Sequence, residues 1–268
     1  MVKPLVSVNL TTFNRSHYLG RCIDSVFAQS YPNIELIIVD DASIDDTEKV
    51  VSHYQNKYLD KKIKYIKHKV NLKLSKTRNT AWQNSTGDLI ATLDDDDVWI
   101  DRDKISKQVD AILKSEQFAI VCTSVRIYTD QNIWRDKLIK NPRDLQSRIL
   151  KGNGLIYTST ALIRKCVLSE LGGFDEKMLK GVDSEFYRRC IVKYGYGVHF
   201  MSDVTTAVHE YGADRMTTDE SRRKLAGAIN SNLHVIKIYF SHLLLHPDAL
   251  VVRVRRLVKT IFKYVITH

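Results

Sequence analysis

Four consecutive aspartates, Asp94 to Asp97, form the most concentrated charge in the chain. Adjacent carboxylates repel one another, and in partly buried surroundings the repulsion is costly until a cation neutralises it. Oxygen donors of this kind suit Mg2+ or Mn2+. On its own, such a run is more often a solvated loop or a helix cap. Two further polar clusters change that balance. Asp40-Asp41 offers carboxylates that can accept hydrogen bonds from a nucleobase or from ribose hydroxyls. Thr11, Phe13 and Arg15 offer a hydroxyl, a ring face and a cation, although Phe13 has an equally good reading as a core residue.

All three clusters end an apolar, strand-like run: Leu5 to Leu10, Ile34 to Val39, and Leu89 to Leu93. A further strand is expected from Ile63 to Lys67. Helical spacing marks Tyr18 to Gln29, Thr47 to Tyr58 and Ser75 to Asn84 between the strands. Ser43 and Asp45 read as capping side chains for the second helix. Strand and helix alternate over the first hundred residues, which predicts an α/β fold with a mostly parallel sheet covered on both faces. Ligands sit at the carboxyl ends of such strands. The second half is less regular. Helices are expected at Ile105 to Lys114 and at Ser184 to Tyr194, the latter led by Asp183. Strands are expected at Ala119 to Tyr128, within Gly152 to Arg164, and from Val198 to Val208, which ends beside His209. Gly172-Gly173 reads as a chain break.

With 268 residues the chain is long enough for one large domain or a domain with an appendage. Lysine and arginine outnumber acids 41 to 31, so nucleic acid, anionic lipid or a phosphorylated substrate would suit its surface. The four cysteines form no C-x-x-C pair and are expected as buried free thiols in a reducing compartment. No secretory leader and no run of 18 apolar residues is present, so a cytoplasmic location is the default expectation. Residues 249–266 form an amphipathic basic helix. Leu250, Val254, Leu257, Val258, Ile261 and Val265 share one face, and Arg255, Arg256, Lys259 and Lys263 the other. It would lie on the inner face of the cell membrane, pack its stripe onto the domain, or form a dimer contact.

The ordered motifs resemble family 2 glycosyltransferases with the GT-A fold. The matching residues begin with Val6-Ser7-Val8, Thr11 to Arg15 and Ser25 to Pro32. They continue through Glu35 to Ser43, Asp45-Asp46-Thr47, Thr77-Arg78-Asn79, Gly87-Asp88 and Leu93 to Asp97. Leu171 to Glu176, Val182 to Phe186 and Arg188 complete the set. The resemblance covers about residues 3–210. It implies a GT-A catalytic domain over residues 1–220, with a nucleotide-binding half (1–100) and an acceptor half (101–220), and a helical extension over 221–268. It implies that Thr11, Phe13, Arg15 and Asp41 hold the nucleotide, and that Asp94, Asp95 and Asp96 contact the donor. Of these, Asp95 occupies the variable position and is expected to matter least. Asp96, Asp97 and His209 would hold Mn2+ or Mg2+. Arg78 and Arg215 would stabilise the leaving diphosphate, Arg215 from a closing loop. Asp183 would be the catalytic base of an inverting transfer.

The resemblance further implies a nucleotide-sugar donor, a UDP-sugar first. It also implies a glycan or lipid-linked acceptor in surface polysaccharide biosynthesis. Two departures stand out: Val182 replaces the Glu of a Glu-Asp pair, and Lys73 stands where relatives often carry glycine. Other classes compete less well. A sugar nucleotidyltransferase needs a glycine-rich basic loop after the first strand, yet no glycine occurs there before Gly20. A non-catalytic GT-A-like binding module has no use for both the acidic run and Asp183. A nucleic-acid binder would group aromatics with basic residues. Tyr239, Phe240, Phe262 and Tyr264 do lie near basic positions, but fit an apolar helix face at least as well. No nucleic-acid partner is expected, and oligomeric state is not readable.

Overall fold

A computed structural model of the chain describes residues 3–129, 133–152, 154–178, 180–210 and 222–266. Strand β1 (Val6–Thr12) alternates apolar Val6, Val8 and Leu10 with polar Ser7 and Asn9, and both faces are buried. The polar face is satisfied internally. Ser7 Oγ donates to Glu35 Oε1 at 2.5 Å, and Ser85 Oγ donates to Asn9 Oδ1 at 2.8 Å. Helix α1 (Ser16–Phe27) buries Leu19, Cys22, Ile23 and Val26 at helical spacing. The alternation continues through β2 (Ile34–Asp40), α2 (Thr47–Lys57), β3 (Lys62–Lys67), α3 (Leu74–Gln83) and β4 (Leu89–Asp94). β1 pairs with β2 and β4, and β2 with β3, all parallel. The order β3-β2-β1-β4 reverses direction between β1 and β4. Such a switch point opens a crevice at the strand carboxyl ends.

The second half adds β5 (Val98–Trp99), α4 (Lys104–Leu113), β6 (Phe118–Tyr128), β7 (Trp134–Lys137) and α5 (Leu145–Lys151). A 3-10 turn, Thr158–Thr160, leads into β8 (Leu162–Arg164), α6 (Lys165–Leu171) and α7 (Val182–Arg188). The sheet extends as β4-β8-β6-β9-β5, where β9 is Gly197–His209, and β7 pairs on β6. Its character changes here. β8 is antiparallel to both neighbours, while β6 and β9 are parallel. The strand expected within 152–164 shrinks to three residues because Thr158–Thr160 coils tightly and Lys165 starts a helix. The helix expected over 184–194 is α7 followed by a π-helical turn, Arg189–Lys193.

Helices α8 (Arg222–Ile238), α9 (Phe240–Leu245) and α10 (Pro247–Ile266) follow. Val235, Tyr239, Leu243 and Ala249 share a core with Ile163, Leu168 and Phe186. Each fully buried aliphatic or aromatic side chain contributes roughly 1.5–3 kcal/mol. The opposite core holds Leu10, Leu19, Ile23, Leu36, Ile105 and Ile112. On α10 only part of the stripe read from the sequence packs, with Leu250 against the core. Val254, Val258, Ile261 and Val265 are exposed, whereas Ala249 and Arg253 are buried. Among the described residues no helix is long and apolar enough to cross a membrane. All four cysteines are free, and Cys166 is exposed rather than buried because it lies in the first turn of short α6.

Lys104, at the start of α4, is fully buried. Its Nζ donates to Gln108 Oε1 at 2.6 Å and lies 4.3 Å from the centre of the Trp99 ring. Burial pushes this lysine down to about 7. Between about pH 7 and 10.5 the folded chain has therefore released a proton that the unfolded chain still holds. Stability from this group rises with pH through that window. Lys104→Met should remove the rise: urea unfolding at about pH 7 and about pH 10 should show wild type gaining on the variant as pH increases. Parallel pH profiles would show that Lys104 titrates normally.

Candidate active site

Sheet register brings the polar clusters together. Thr11 lies opposite Asp94 on one side and Val39 on the other, and Thr12 lies opposite Asp40. Thr11, Arg78 and Asp94 line one small cleft. The loops after β1 and β2 are interlocked. Asn14 N–H donates to Ser43 Oγ at 2.8 Å, Ile44 N–H to Asn14 Oδ1 at 2.9 Å, and Ser16 N–H to Asp45 Oδ2 at 2.9 Å. Ser43 and Asp45 thus tie the β1 loop, and Asp45 caps α1 as well as bonding Thr47 at the start of α2. Phe13 is 44% exposed, so its ring lies at the surface and not in the core.

Asp41 is placed at the crevice but is largely committed. His68 Nδ1–H and Leu72 N–H donate to Oδ1, at 2.9 and 2.7 Å, and Lys73 N–H donates to Oδ2 at 2.9 Å. Three of about four acceptor positions are filled. The carboxylate therefore shapes the loop before α3. His68 completes the link through Nε2, which accepts from Thr80 Oγ1 at 3.0 Å.

The acidic run turns sharply, with Asp97 N–H donating to Asp94 O at 3.1 Å. The turn is pinned from below. Ser159 Oγ donates to Asp97 Oδ2 at 2.5 Å, and Cys22 Sγ lies against the Asp95 and Asp97 carbonyls. Arg21 donates to Asp96 O at 2.8 Å, and His209 Nδ1–H to the same carbonyl at 3.0 Å. Arg15 Nη1 spans Asp95 Oδ1 at 3.0 Å and Asp96 Oδ2 at 2.8 Å. Arg78 Nη2 is 2.8 Å from Asp94 Oδ1, and its Nη1 is 2.6 Å from Asp183 Oδ1. A residue 89 positions downstream in sequence is thereby brought to the strand ends. Asn79, next to Arg78, holds the segment leading to α7. It donates to Phe174 O at 2.9 Å and accepts from Phe174 N–H at 2.8 Å. Gly173 permits this approach, at φ +74° and with Asn79 Oδ1 only 2.4 Å from where a Cβ would stand.

Charge is in surplus here. Burial, with Asp183, Asp96 and Asp95 nearby, pushes Asp94 up to about 7 against the pull of Arg78. Burial and the Asp96 charge push Asp95 up to about 6 against Arg15. Burial, then Asp94 and Asp96, raise Asp97 well above the carboxylate range. His209 stacks on Tyr128, and burial and Arg21 hold it below the usual imidazole range.

Three side chains expected in the site also hold the structure. Asp97, expected on a metal, is only 5% exposed and hydrogen-bonded to Ser159, so it supports the turn as well. Arg78, expected against the diphosphate, is buried between two carboxylates. Asp95, expected to matter least, is buried and ion-paired to Arg15. Among the described residues, no three His, Cys, Asp or Glu side chains are gathered in a metal-binding arrangement. Arg21, Cys22, His68 and Ser159 carry no sequence signal of their own and were missed. Arg215 lies outside the described residues.

Lys73 sits at φ 74°, ψ 163°, a region that essentially only glycine occupies. Lys73→Gly should relieve about 1–3 kcal/mol of strain, offset by roughly 0.5–1 kcal/mol of added unfolded-state freedom. The urea midpoint should rise. A lower midpoint would show that the Lys73 side chain itself holds the loop.

Known proteins can be set beside this geometry. The putative glycosyltransferase EpsE of Bacillus subtilis (strain 168) is 36% identical over 127 residues, 47% of this chain and 45% of that protein. The putative teichuronic acid biosynthesis glycosyltransferase TuaG of the same organism is 32% identical over 161 residues, 60% of this chain and 62% of that protein. The chain thus matches less than two thirds of either relative's length. Among solved structures, the mannosyltransferase PcManGT from Pyrobaculum calidifontis, in complex with GDP-Man and Mn2+, superposes with a TM-score of 0.68. It is 21% identical and covers 97% of this chain and 75% of that one, which identifies the fold as GT-A. The glycosyl transferase family 2 model matches residues 7–172, from β1 through the end of α6, and the chain belongs to that family.

Proposed function

We propose that the chain is an inverting glycosyltransferase that moves a sugar from a nucleotide diphosphate sugar to a hydroxyl of a glycan or lipid-linked acceptor. The observation that carries this reading is the Arg78 bridge, which holds Asp183 and Asp94 on one guanidinium. Asp94 ends a strand at the donor crevice, and Asp183 opens the helix facing it. Asp183, 27% exposed at its side chain, takes the proton from the acceptor hydroxyl as that oxygen attacks the anomeric carbon. A single base opposite the leaving group gives inversion. Thr11, Phe13 and the Asp41-shaped loop hold the nucleotide. UDP is the nucleotide expected by family resemblance, and the mannosyltransferase structure carries GDP-Man.

The donor set fits a divalent cation in its chemistry. Oxygen ligands are abundant, negative charge is in excess, and the Arg15 guanidinium already bridges Asp95 and Asp96 as a cation. Asp96, 26% exposed at its side chain, and His209 beside it would hold Mn2+ or Mg2+. Bound there, the ion would act as a Lewis acid on the leaving diphosphate.

Activity is measured as nucleoside diphosphate release across UDP- and GDP-sugars, with Mn2+ and with chelator. Asp183→Asn should lower kcat by about 10²–10⁴-fold while donor affinity stays within about twofold, since the base does not hold the donor. Release of pyrophosphate in place of a nucleoside diphosphate, or full turnover under chelation, counts against the proposal.

The exposed stripe of α10 supports a peripheral membrane location. Val254, Val258, Ile261 and Val265 are exposed, as are Phe240, Leu244 and Leu245 of α9. Arg255, Lys259 and Lys263 on the same helix complement anionic headgroups. The double variant Val258→Asp, Ile261→Asp should lose sedimentation with anionic vesicles and keep turnover on a soluble acceptor. Undiminished sedimentation would sink the membrane reading.

A further inference from the structure

Arg188 closes α7, five residues after Asp183, and is only 3% exposed. Its Nε has no hydrogen-bond acceptor. Glu185 attracts it at longer range, but both Glu185 oxygens already bind Arg189, each at 3.1 Å. Arg253 of α10 is 5% exposed and near enough to Arg188 for the two charges to repel. Its Nε donates to Leu150 O at 2.5 Å and its Nη1 to Asn232 Oδ1 at 3.0 Å, while Nη2 has no acceptor. Half-buried Arg256 donates to Gly152 O at 3.4 Å.

Gly152 ends α5 at φ +68°, and a Cβ there would stand 2.5 Å from Arg253 Nη2 and 3.1 Å from Arg256 Nη1. The glycine thus leaves room for two guanidiniums against one helix end. Arginines at a helix C-terminus are favourable with respect to its dipole. Capping of α5 accounts for Arg253 Nε and for Arg256. It leaves Arg188 and Arg253 Nη2 unexplained. Unpaired buried charges cost several kcal/mol each, so buried cations normally face an anion. The three arginines also repel: after burial, Arg188 and Arg256 help hold Arg253 down to about 9.

We propose that Arg188, Arg253 and Arg256 form a binding site for a phosphate group where α5, α7, α8 and α10 meet. The guanidinium fork matches phosphate oxygens and forms charge-assisted hydrogen bonds with them. The site lies at the far end of the helix that opens with Asp183, and on the helix that carries the exposed apolar stripe. A phosphate there belongs to an anionic lipid headgroup or to a phosphate carried by the acceptor or free in solution. The site stands on its own contacts and goes beyond the transferase reading.

The test uses the full chain in low-salt buffer with chelator and without nucleotide sugar, so that failure of turnover has no bearing on it. Inorganic phosphate in excess of its Kd by about 100-fold should stabilise wild type by about 2.7 kcal/mol, read as a rise in Tm. Arg188→Met should show no such rise and should be no less stable than wild type without phosphate, because it removes a buried cation whose Nε has no acceptor. Arg253→Lys, which keeps the charge and loses the fork, should bind phosphate about tenfold more weakly. Vesicles of phosphatidylglycerol, set against phosphatidylcholine, separate the sources. Retention that depends on Arg188 supports a headgroup, and a phosphate response with Arg188-independent retention supports the other source. A phosphate response unchanged in both variants, or none in wild type to either probe, overturns the site.

Discussion

Too many carboxylates share too few cations, and that constraint organises the carboxyl end of the parallel strands. Asp94, Asp95, Asp96 and Asp183 converge on Arg15 and Arg78. Arg78 matters most because its two ends bind groups from different halves of the chain. Removing one partner of a buried ion pair typically costs about 3–5 kcal/mol, since the other charge is left unpaired. Here the lost partner would free two carboxylates at once. The surrounding structure is arranged to keep that guanidinium still. Asn79 on the same helix clamps the segment after Gly173, and Phe174 lies under the guanidinium, 5.6 Å from its centre.

Backbone strain is concentrated at the same crevice. The non-glycine residues with positive φ are Asn14, Ala42 and Lys73 among the described residues, and each follows a strand end or precedes α3. Such conformations cost of order 1–3 kcal/mol each and persist only where neighbours over-determine them. The neighbours are visible. Asn14 and Ser43 bond each other's loops, and Asp41 fixes the amides of Leu72 and Lys73. A carboxylate that looked like a ligand for the nucleobase is therefore first a brace for the loop that borders it. Strained loops braced in this way fix the shape of the crevice they border.

The first four strands were legible because their apolar runs are continuous and end in abrupt polar clusters. Leu36 to Val39 and Leu89 to Leu93 leave little choice but a buried parallel strand. Bounds shifted by one or two residues, as at β1, where Thr11 and Thr12 extend the ladder to Asp94 and Asp40. β7 and α5 were not legible. Trp134 to Lys137 carries too much exposed charge to read as a strand, and α5 is seven residues long. In the site, Asp94 to Asp97 and Asp183 announced themselves by type and position. Cys22, His68 and Ser159 did not, because their importance arises from contacts with residues 27 to 75 positions away. Local sequence holds no trace of such contacts.

Periodicity on helix α10 left open whether its apolar stripe packs onto the domain or stays exposed. An amphipathic pattern says that two faces differ, and it leaves open which one packs inward. Burial of Val254, Val258 and Ile261 would have been the ordinary choice on hydrophobic grounds. Instead Arg253 turns inward to the Leu150 carbonyl and Asn232, with Ala249 the small residue that lets the helix approach. Lys151 and Ser147 of α5 add contacts to Asp248 at its start, so polar groups fix the orientation of the helix. The exposed apolar face is the consequence of that docking. α7 links the two features: its first turn brings Asp183 to Arg78 at the strand ends, and its last residue, Arg188, lies within electrostatic reach of Arg253 on α10.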